Sequence, residues 1–315
     1  MKKFLCYTSL FTLIVLTVLA AFEWSLRRIP TLYTATHQAL TERAPQLHTL
    51  IMGSSVAKDG INALLLDSTG RAYNMAMPGE QVTYGYLKFC HYAERMPQLR
   101  DVVWGLAFYN LFQDDRTDVD ASKRAGHRIY MGIDTTDDWM DGVECLSTKS
   151  LALRKWTDYY IKGKDLIACD AYGLNIQMPK AQRRKAYLDN AAERAHGHNK
   201  EALDNHSLIV ANARMIDSVA TRCAARGIRL WLVLPPVSRP YGKACDASLL
   251  REAADTLSAI ASRHKGVYAI DYMRDARFTD DDFFDRNHLT CDEGARKFTL
   301  LLRHDMRQHC PQALR

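Results

Sequence analysis

Two short stretches at opposite ends of the chain carry side chains that could do chemistry together. Gly53-Ser54-Ser55 follows the apolar run 47–52 directly. Asp285-Arg286-Asn287-His288 precedes the last helical pattern of the chain. An Asp and a His three apart on a loop can meet, so that the carboxylate orients the imidazole and the imidazole removes a proton from a hydroxyl. A serine just after a strand, with a glycine before it to allow a sharp turn, is a hydroxyl that such a base could reach. Two further positions suit the stabilisation of a developing oxyanion: the backbone N–H of Gly79, in Asn74-Met75-Ala76-Met77-Pro78-Gly79, and the side-chain amide of Asn110. A backbone N–H at the serine would be a third donor. Taken singly, each feature has an ordinary structural use: a serine caps a helix, and an Asp-Arg-Asn-His stretch is a surface loop. Ser54 stands beside Ser55 as an alternative nucleophile.

Their joint placement depends on the elements between them. Five short apolar runs, at 47–52, 72–77, 101–107, 228–234 and 266–271, read as strands buried on both faces. Helical patterns at 83–95, 207–226, 247–264 and 292–306 alternate with them, the third from last ending at Gly227, a C-cap residue, and Asp292 capping the last. Strands that alternate with helices predict an α/β fold: a flavodoxin-like three-layer sandwich around a five-stranded parallel sheet. In such sheets sites form beyond the carboxyl ends of the strands, and all four elements above fall there or in the loop before the final helix. Residues 116–205 interrupt the alternation with polar, helix-forming sequence carrying Trp139, Trp156, Tyr159 and Tyr160, an insertion that either shapes the site as a lid or only packs.

With these residues in this order, the chain resembles the SGNH (GDSL-like) hydrolase superfamily over residues 47–115 and 206–308. The family's Gly-Asp-Ser block is matched by Gly53-Ser54-Ser55, with the nucleophile at Ser55; its Asn-x-x-x-x-Gly block by Asn74 to Gly79; its Asp-x-x-His block by Asp285 and His288, followed by Leu289-Thr290 and Gly294-Ala295. Of its Gly-x-Asn-Asp block only Asn110 carries over. The resemblance implies a Ser55–His288–Asp285 triad with Gly79 and Asn110 in the oxyanion hole, forming and resolving an acyl-enzyme with no metal or organic cofactor. Gly-Ser-Ser variants behind an amino-terminal anchor resemble envelope acyl-transfer proteins, which sets O-acyl transfer beside ester hydrolysis.

The amino terminus fits that setting. An uncharged run of 19 residues, Phe4–Phe22, follows Lys2 and Lys3 and precedes Glu23, Trp24, Arg27 and Arg28. Its length matches a bilayer-crossing helix better than the shorter core of a cleaved signal, and the lysine pair favours a cytoplasmic amino terminus. The expected organisation is a signal anchor over 1–28, a connector over 29–46 and an SGNH-like domain over 47–315, in a single-pass inner-membrane protein whose domain faces the periplasm. The expected partners are then the membrane, an acylated envelope glycan or lipid as substrate, and a membrane acyltransferase.

Composition closes off other classes. The chain has 315 residues, 47% hydrophobic and 25% charged, which excludes a disordered or polytopic protein. The net charge of +6 is scattered, with no basic block or nucleic-acid-binding module. Of eight cysteines, Cys145/Cys169 and Cys291/Cys310 are candidate bridges, with buried free thiols the alternative. His196 and His198 read as part of a solvated loop, Asp280–Asp282 as a solvated acidic face, and no phosphate-binding or dinucleotide glycine pattern occurs. Two further functions stay open: an inactive SGNH-like glycan-binding or assembly component, which a solvent-exposed cluster of Tyr109, Phe112, Trp139 and Trp156 would favour, and a lipid esterase with an apolar pocket under the insertion.

Overall fold

The computed structural model describes residues 1–114, 121–135 and 137–314. Residues 116–120, where the insertion is expected to begin, lie outside the described residues. The elements that matter for the site are α1 (Lys2–Arg27), β1 (Thr49–Gly53), α2 (Ser55–Gly60), β2 (Ala72–Asn74), α3 (Val82–Tyr92), β3 (Asp101–Gly105), α4 (Ala191–Asp204), α5 (Leu208–Ala225), β4 (Arg229–Leu234), α6 (Ala247–Arg263), β5 (Val267–Asp271) and α7 (Glu293–His309); two further 11-residue helices, Leu32–Glu42 and Ala121–Met131, and shorter helical segments lie between them. The five strands form one parallel sheet in the order β2-β1-β3-β4-β5. This is the doubly wound arrangement expected from the alternation of apolar runs and helical patterns.

Each central strand is buried on both faces, because successive side chains point to opposite sides and helices cover both. Ile51, Val103, Trp231 and Val233 share one core with Ala57 and Ile61 of α2 and Phe298, Leu302 and Met306 of α7. The alternate set, with Leu50, Met52, Val102 and Trp104, faces α3, α5 and α6. The indole of Trp104 there lies so close to Gly85 of α3 that a Cβ at Gly85 would come within 2.9 Å of it.

The chain divides into two compact units. One comprises Met1–Gln38 and Val119–Ile167, the other Ala39–Asp118 and Ala168–Arg315. The second holds the sheet and every residue singled out above for chemistry. The stretch expected as one insertion is therefore shared: residues up to 167 belong with α1, and residues from 168 belong with the sheet. Within the first unit, α1 is long and apolar enough to cross a membrane, with a mean hydropathy of 2.2 in its best window.

All eight cysteines are free thiols, so neither candidate bridge forms. For Cys291 and Cys310 the reason is geometric: they stand at opposite ends of the 17-residue helix α7, roughly 25 Å apart at 1.5 Å per residue.

The turn from β1 into α2 leaves no room for a side chain at Gly53. Gly53 has φ of +136°, and a Cβ on it would lie 2.0 Å from the Gly105 carbonyl oxygen. Gly53→Ala is expected to destabilise the protein by about 3 kcal/mol or more, since strain in a disfavoured backbone region adds to a backbone clash. Thermal unfolding of wild type and variant in detergent checks this.

Candidate active site

Ser54 and Ser55 diverge because a helix begins between them. Ser54 is the N-cap residue of α2, in an extended conformation, and Ser55 is the first helical residue. The Ser54 hydroxyl is buried and donates to Asn110 Oδ1 at 3.1 Å. The Ser55 hydroxyl points the other way, and its Oγ lies 2.8 Å from His288 Nε2.

His288 is held on its other side by Asp285, whose Oδ1 and Oδ2 each lie 3.0 Å from Nδ1. With the carboxylate facing Nδ1, that nitrogen carries the proton and Nε2 is left to accept from Ser55. Asp285 is oriented in turn by the backbone N–H groups of Asn287 and His288, each 3.0 Å from Oδ1. The loop is fastened from two directions. Ser238, after β4, donates its backbone N–H and its hydroxyl to the Arg286 carbonyl. Asn287 Nδ2 donates to the Tyr109 hydroxyl at 3.3 Å.

The electrostatics favour a basic imidazole. Burial works against ionising His288, but the hydrogen bond and charge of Asp285, together with the charge of Asp59, outweigh it and raise the imidazole above its ordinary 6.5. Burial likewise penalises the Asp285 carboxylate, yet the His288 hydrogen bond and charge bring it down to about 2. A raised His288 holds a proton over a wider pH range, so the neutral, proton-accepting form is lost earlier as pH falls.

The expected oxyanion residues are placed differently from each other. Gly79 is exposed with φ of +64°, in the loop that follows β2. That loop runs on beside β1, with Met75 N–H donating to the Ile51 carbonyl and Met77 N–H to the Gly53 carbonyl. Asn110 is buried, and Ala107 N–H donates to its Oδ1, which fixes which way the amide faces. Its Nδ2 donates to Gln113 Oε1 at 3.2 Å, and Gln113 is held by Glu201 of α4. The amide carbonyl thus turns toward Ser54, and one amide proton is already engaged. Asn74 clamps the start of the site: Nδ2 donates to the Ala57 and Ile61 carbonyls of α2, both at 2.9 Å, and Oδ1 accepts from Ala76 N–H.

Several residues were not singled out from the sequence. Asp59 is four positions after Ser55 on α2, the spacing that places two side chains on one helix face. Its Oδ2 lies 4.0 Å from His288 Nε2 and has no hydrogen-bond partner, while Oδ1 accepts from Asn175 Nδ2 at 2.7 Å. Burial raises its pKa, with His288 opposing. The spacing was a legible signal; Asn175, 116 positions away, gave none. Glu80 and Lys88 form a fully buried pair at 2.7 Å, and Lys88 Nζ also donates to the Met75 carbonyl, so this pair ties the Gly79 loop to α3. Burial raises Glu80 to about 7 against the pull of Lys88. His198 corrects the sequence expectation of a solvated loop: it is buried on α4, stacked on Tyr109 at 3.9 Å and paired with the Tyr241 hydroxyl. Helical periodicity, with Ala191, Ala195, His198 and Ala202 on the inner face, explains the difference. Burial, then the charges of Arg194 and Arg286, lower this imidazole to about 3, so it stays neutral.

Beside Asp285 lies a cleft of about 620 Å³. Its walls are mixed, with Arg184, Asp189, Asn190 and Arg286 beside Ala186, Tyr187 and Phe284, and neither Ser55 nor His288 is among the lining residues. No known family model matches the chain, and no curated protein matches its sequence.

The geometry sets a pH expectation. If neutral His288 is the working base, reaction of Ser55 with an acylating probe falls off on the acid side with a midpoint above 6.5. Asp59→Asn removes one charge that favours the imidazolium, so the midpoint moves to lower pH, whereas a variant at an exposed carboxylate such as Glu94 leaves it in place. Probe reaction rates measured from pH 5 to 9 on all three proteins check this.

Proposed function

We propose that the chain is a membrane-anchored serine esterase or O-acyltransferase of the SGNH type, acting on acyl esters of a cell-envelope glycan. The observation that carries the reading is the relay in which Ser55 Oγ lies 2.8 Å from His288 Nε2 and His288 Nδ1 lies 3.0 Å from both Asp285 oxygens. In the proposed reaction His288 takes the Ser55 proton as Oγ attacks the ester carbonyl. The oxyanion is received by the Gly79 and Ser55 backbone N–H groups, with Asn110 contributing its remaining amide proton. The alcohol leaves with the proton from His288, and water or a sugar hydroxyl, deprotonated by the same imidazole, resolves the acyl-enzyme.

The Arg184, Asp189, Asn190 and Arg286 side chains that line the cleft beside Asp285 offer hydrogen-bonding partners for a hydroxylated substrate. In the same proposal α1 anchors the protein in the inner membrane, with Lys2 and Lys3 inside and the α/β unit on the periplasmic side. A membrane acyltransferase supplying the acyl group is the partner that a transferase would need.

One observation favours the alternative, an inactive glycan-binding or assembly component: the Asn110 amide already serves Gln113 and Ser54. The exposed aromatic cluster that would have favoured it is not there as a group, since Phe112 is fully buried and Tyr109 half-buried against His198.

Labelling of the full-length protein in detergent with a fluorophosphonate probe separates the two. The active reading expects labelling of wild type and Ser54→Ala, none of Ser55→Ala, and a fall of at least ~10²-fold in His288→Ala. Asp285→Asn should fall by up to ~10⁴-fold, because it loses control of the His288 tautomer. Folded wild type that does not label, with the cleft accessible to small esters, supports the inactive component instead.

A further inference from the structure

The unit containing α1 carries apolar side chains that the α/β chemistry does not use. Trp139, Met140, Leu151, Leu153, Tyr160 and Ile161 are all exposed, with Trp139 at 65%, Leu153 at 59% and Ile161 at 68%. With Leu146, seven large apolar groups are left in water within 23 positions, more than scattered surface residues account for.

The segments that carry them are bonded to one place on α1, its last turn. The Glu23 carboxylate accepts from the backbone N–H groups of Glu144 and Cys145, at 3.0 and 2.9 Å. Arg27 donates to the Gly142 carbonyl at 2.7 Å. Trp156 Nε1 donates to the Ser25 hydroxyl at 3.0 Å, and the Tyr160 hydroxyl donates to the Ser25 carbonyl at 3.1 Å. Leu26, Ile29 and Ala152 close a small core over the same turn, with Phe22 and Trp156 packed on it.

The length of α1 then fixes a depth. The uncharged run Phe4–Phe22 has 19 residues, about 28 Å of helix at 1.5 Å per residue, which fills a hydrocarbon layer of about 30 Å. Glu23, Ser25 and Arg27 come next and therefore sit among the headgroups, and so must the segments bonded to them. Over 139–164 the sequence has five cations, Lys149, Arg154, Lys155, Lys162 and Lys164, against three carboxylates, Asp141, Glu144 and Asp158, and the side chains of Arg154, Lys162 and Lys164 are largely exposed. Exposed aromatic and aliphatic groups beside lysine and arginine suit the boundary between acyl chains and anionic headgroups.

We propose that residues 139–164 form a membrane-interface surface, immersed in the headgroup layer of the bilayer that α1 crosses and bound to anionic phospholipid. The inference rests on the anchoring reading of α1 and is independent of the catalytic one. Trp139 and Trp24 make it measurable, since Trp104 and Trp231 are wholly buried in the sheet and Trp156, half-buried against the last turn of α1, is common to every variant, so these three give a constant background.

The full-length protein is reconstituted into vesicles of phosphatidylcholine and phosphatidylglycerol, with and without lipids brominated in the upper acyl chain, and tryptophan fluorescence is read. The expected result is that Trp24→Phe and Trp139→Phe each remove part of the bromolipid-quenched emission. Ile161→Trp placed in the Trp139→Phe background, at an exposed position that tolerates an indole, restores it. If only Trp24→Phe removes quenched emission, anchoring stands and the interface surface is overturned. If no variant changes the quenching, anchoring falls and the surface with it. If Trp139 is shielded both from bromolipid and from acrylamide in the water, a protein covers this face and the lipid proposal is overturned.

Discussion

Gly53 and Gly105 end neighbouring strands where there is no room for a side chain. A Cβ at Gly53 meets the Gly105 carbonyl, and a Cβ at Gly105 would come within 2.7 Å of Ala57. This contact brings the first turn of α2 down onto the sheet, and everything at the site is measured from it. It sends the Ser54 hydroxyl toward Asn110 and the Ser55 hydroxyl toward His288. A wider junction would let α2 rotate, and a rotation of one residue, about 100°, would exchange the surroundings of the two serines.

Around that junction lie more buried charges than the proposed relay requires. Lys58 and Lys88, Asp59 and Glu80 are each almost fully enclosed. Glu80 and Lys88 offset one another, whereas Lys58 Nζ and Asp59 Oδ2 have no hydrogen-bond partner. Leaving such groups unpaired is costly. Burial lowers Lys58 and raises Asp59, each shift reducing the charge it must keep in a dry place. The proposed site therefore sits beside a local reservoir of destabilisation, in keeping with the tendency of reactive sites to hold poorly satisfied polar groups.

The legible part of the molecule was the part written in local patterns. The apolar runs at 47–52, 101–107 and 266–271 became β1, β3 and β5, and the 3.6-residue spacing of Ile209, Ile216, Val219 and Ala220 became α5. Asp285 and His288 meet because they are three apart on a turn closed by Phe284 N–H and the His288 carbonyl. What spacing could not disclose were partnerships across the chain. Asn175 holding Asp59, Ser238 holding Arg286 and Gln113 diverting Asn110 each depend on loops whose conformation is set by packing. The division of the inserted stretch near residue 167 was hidden for the same reason: both halves are polar and helix-forming, and only their contacts assign them to different units.

The separation of the relay along the chain has a consequence in time. Ser55 and His288 are 233 positions apart, and a growing chain appears amino-terminus first. A chain made only as far as β5 carries Ser55 with no His288 beside it, and the contact between the two forms only after the loop that precedes α7 has been made. Loss of α7 by truncation would likewise leave β1 through β5 intact in sequence while stripping Phe298, Leu302 and Met306 from the core beneath the serine.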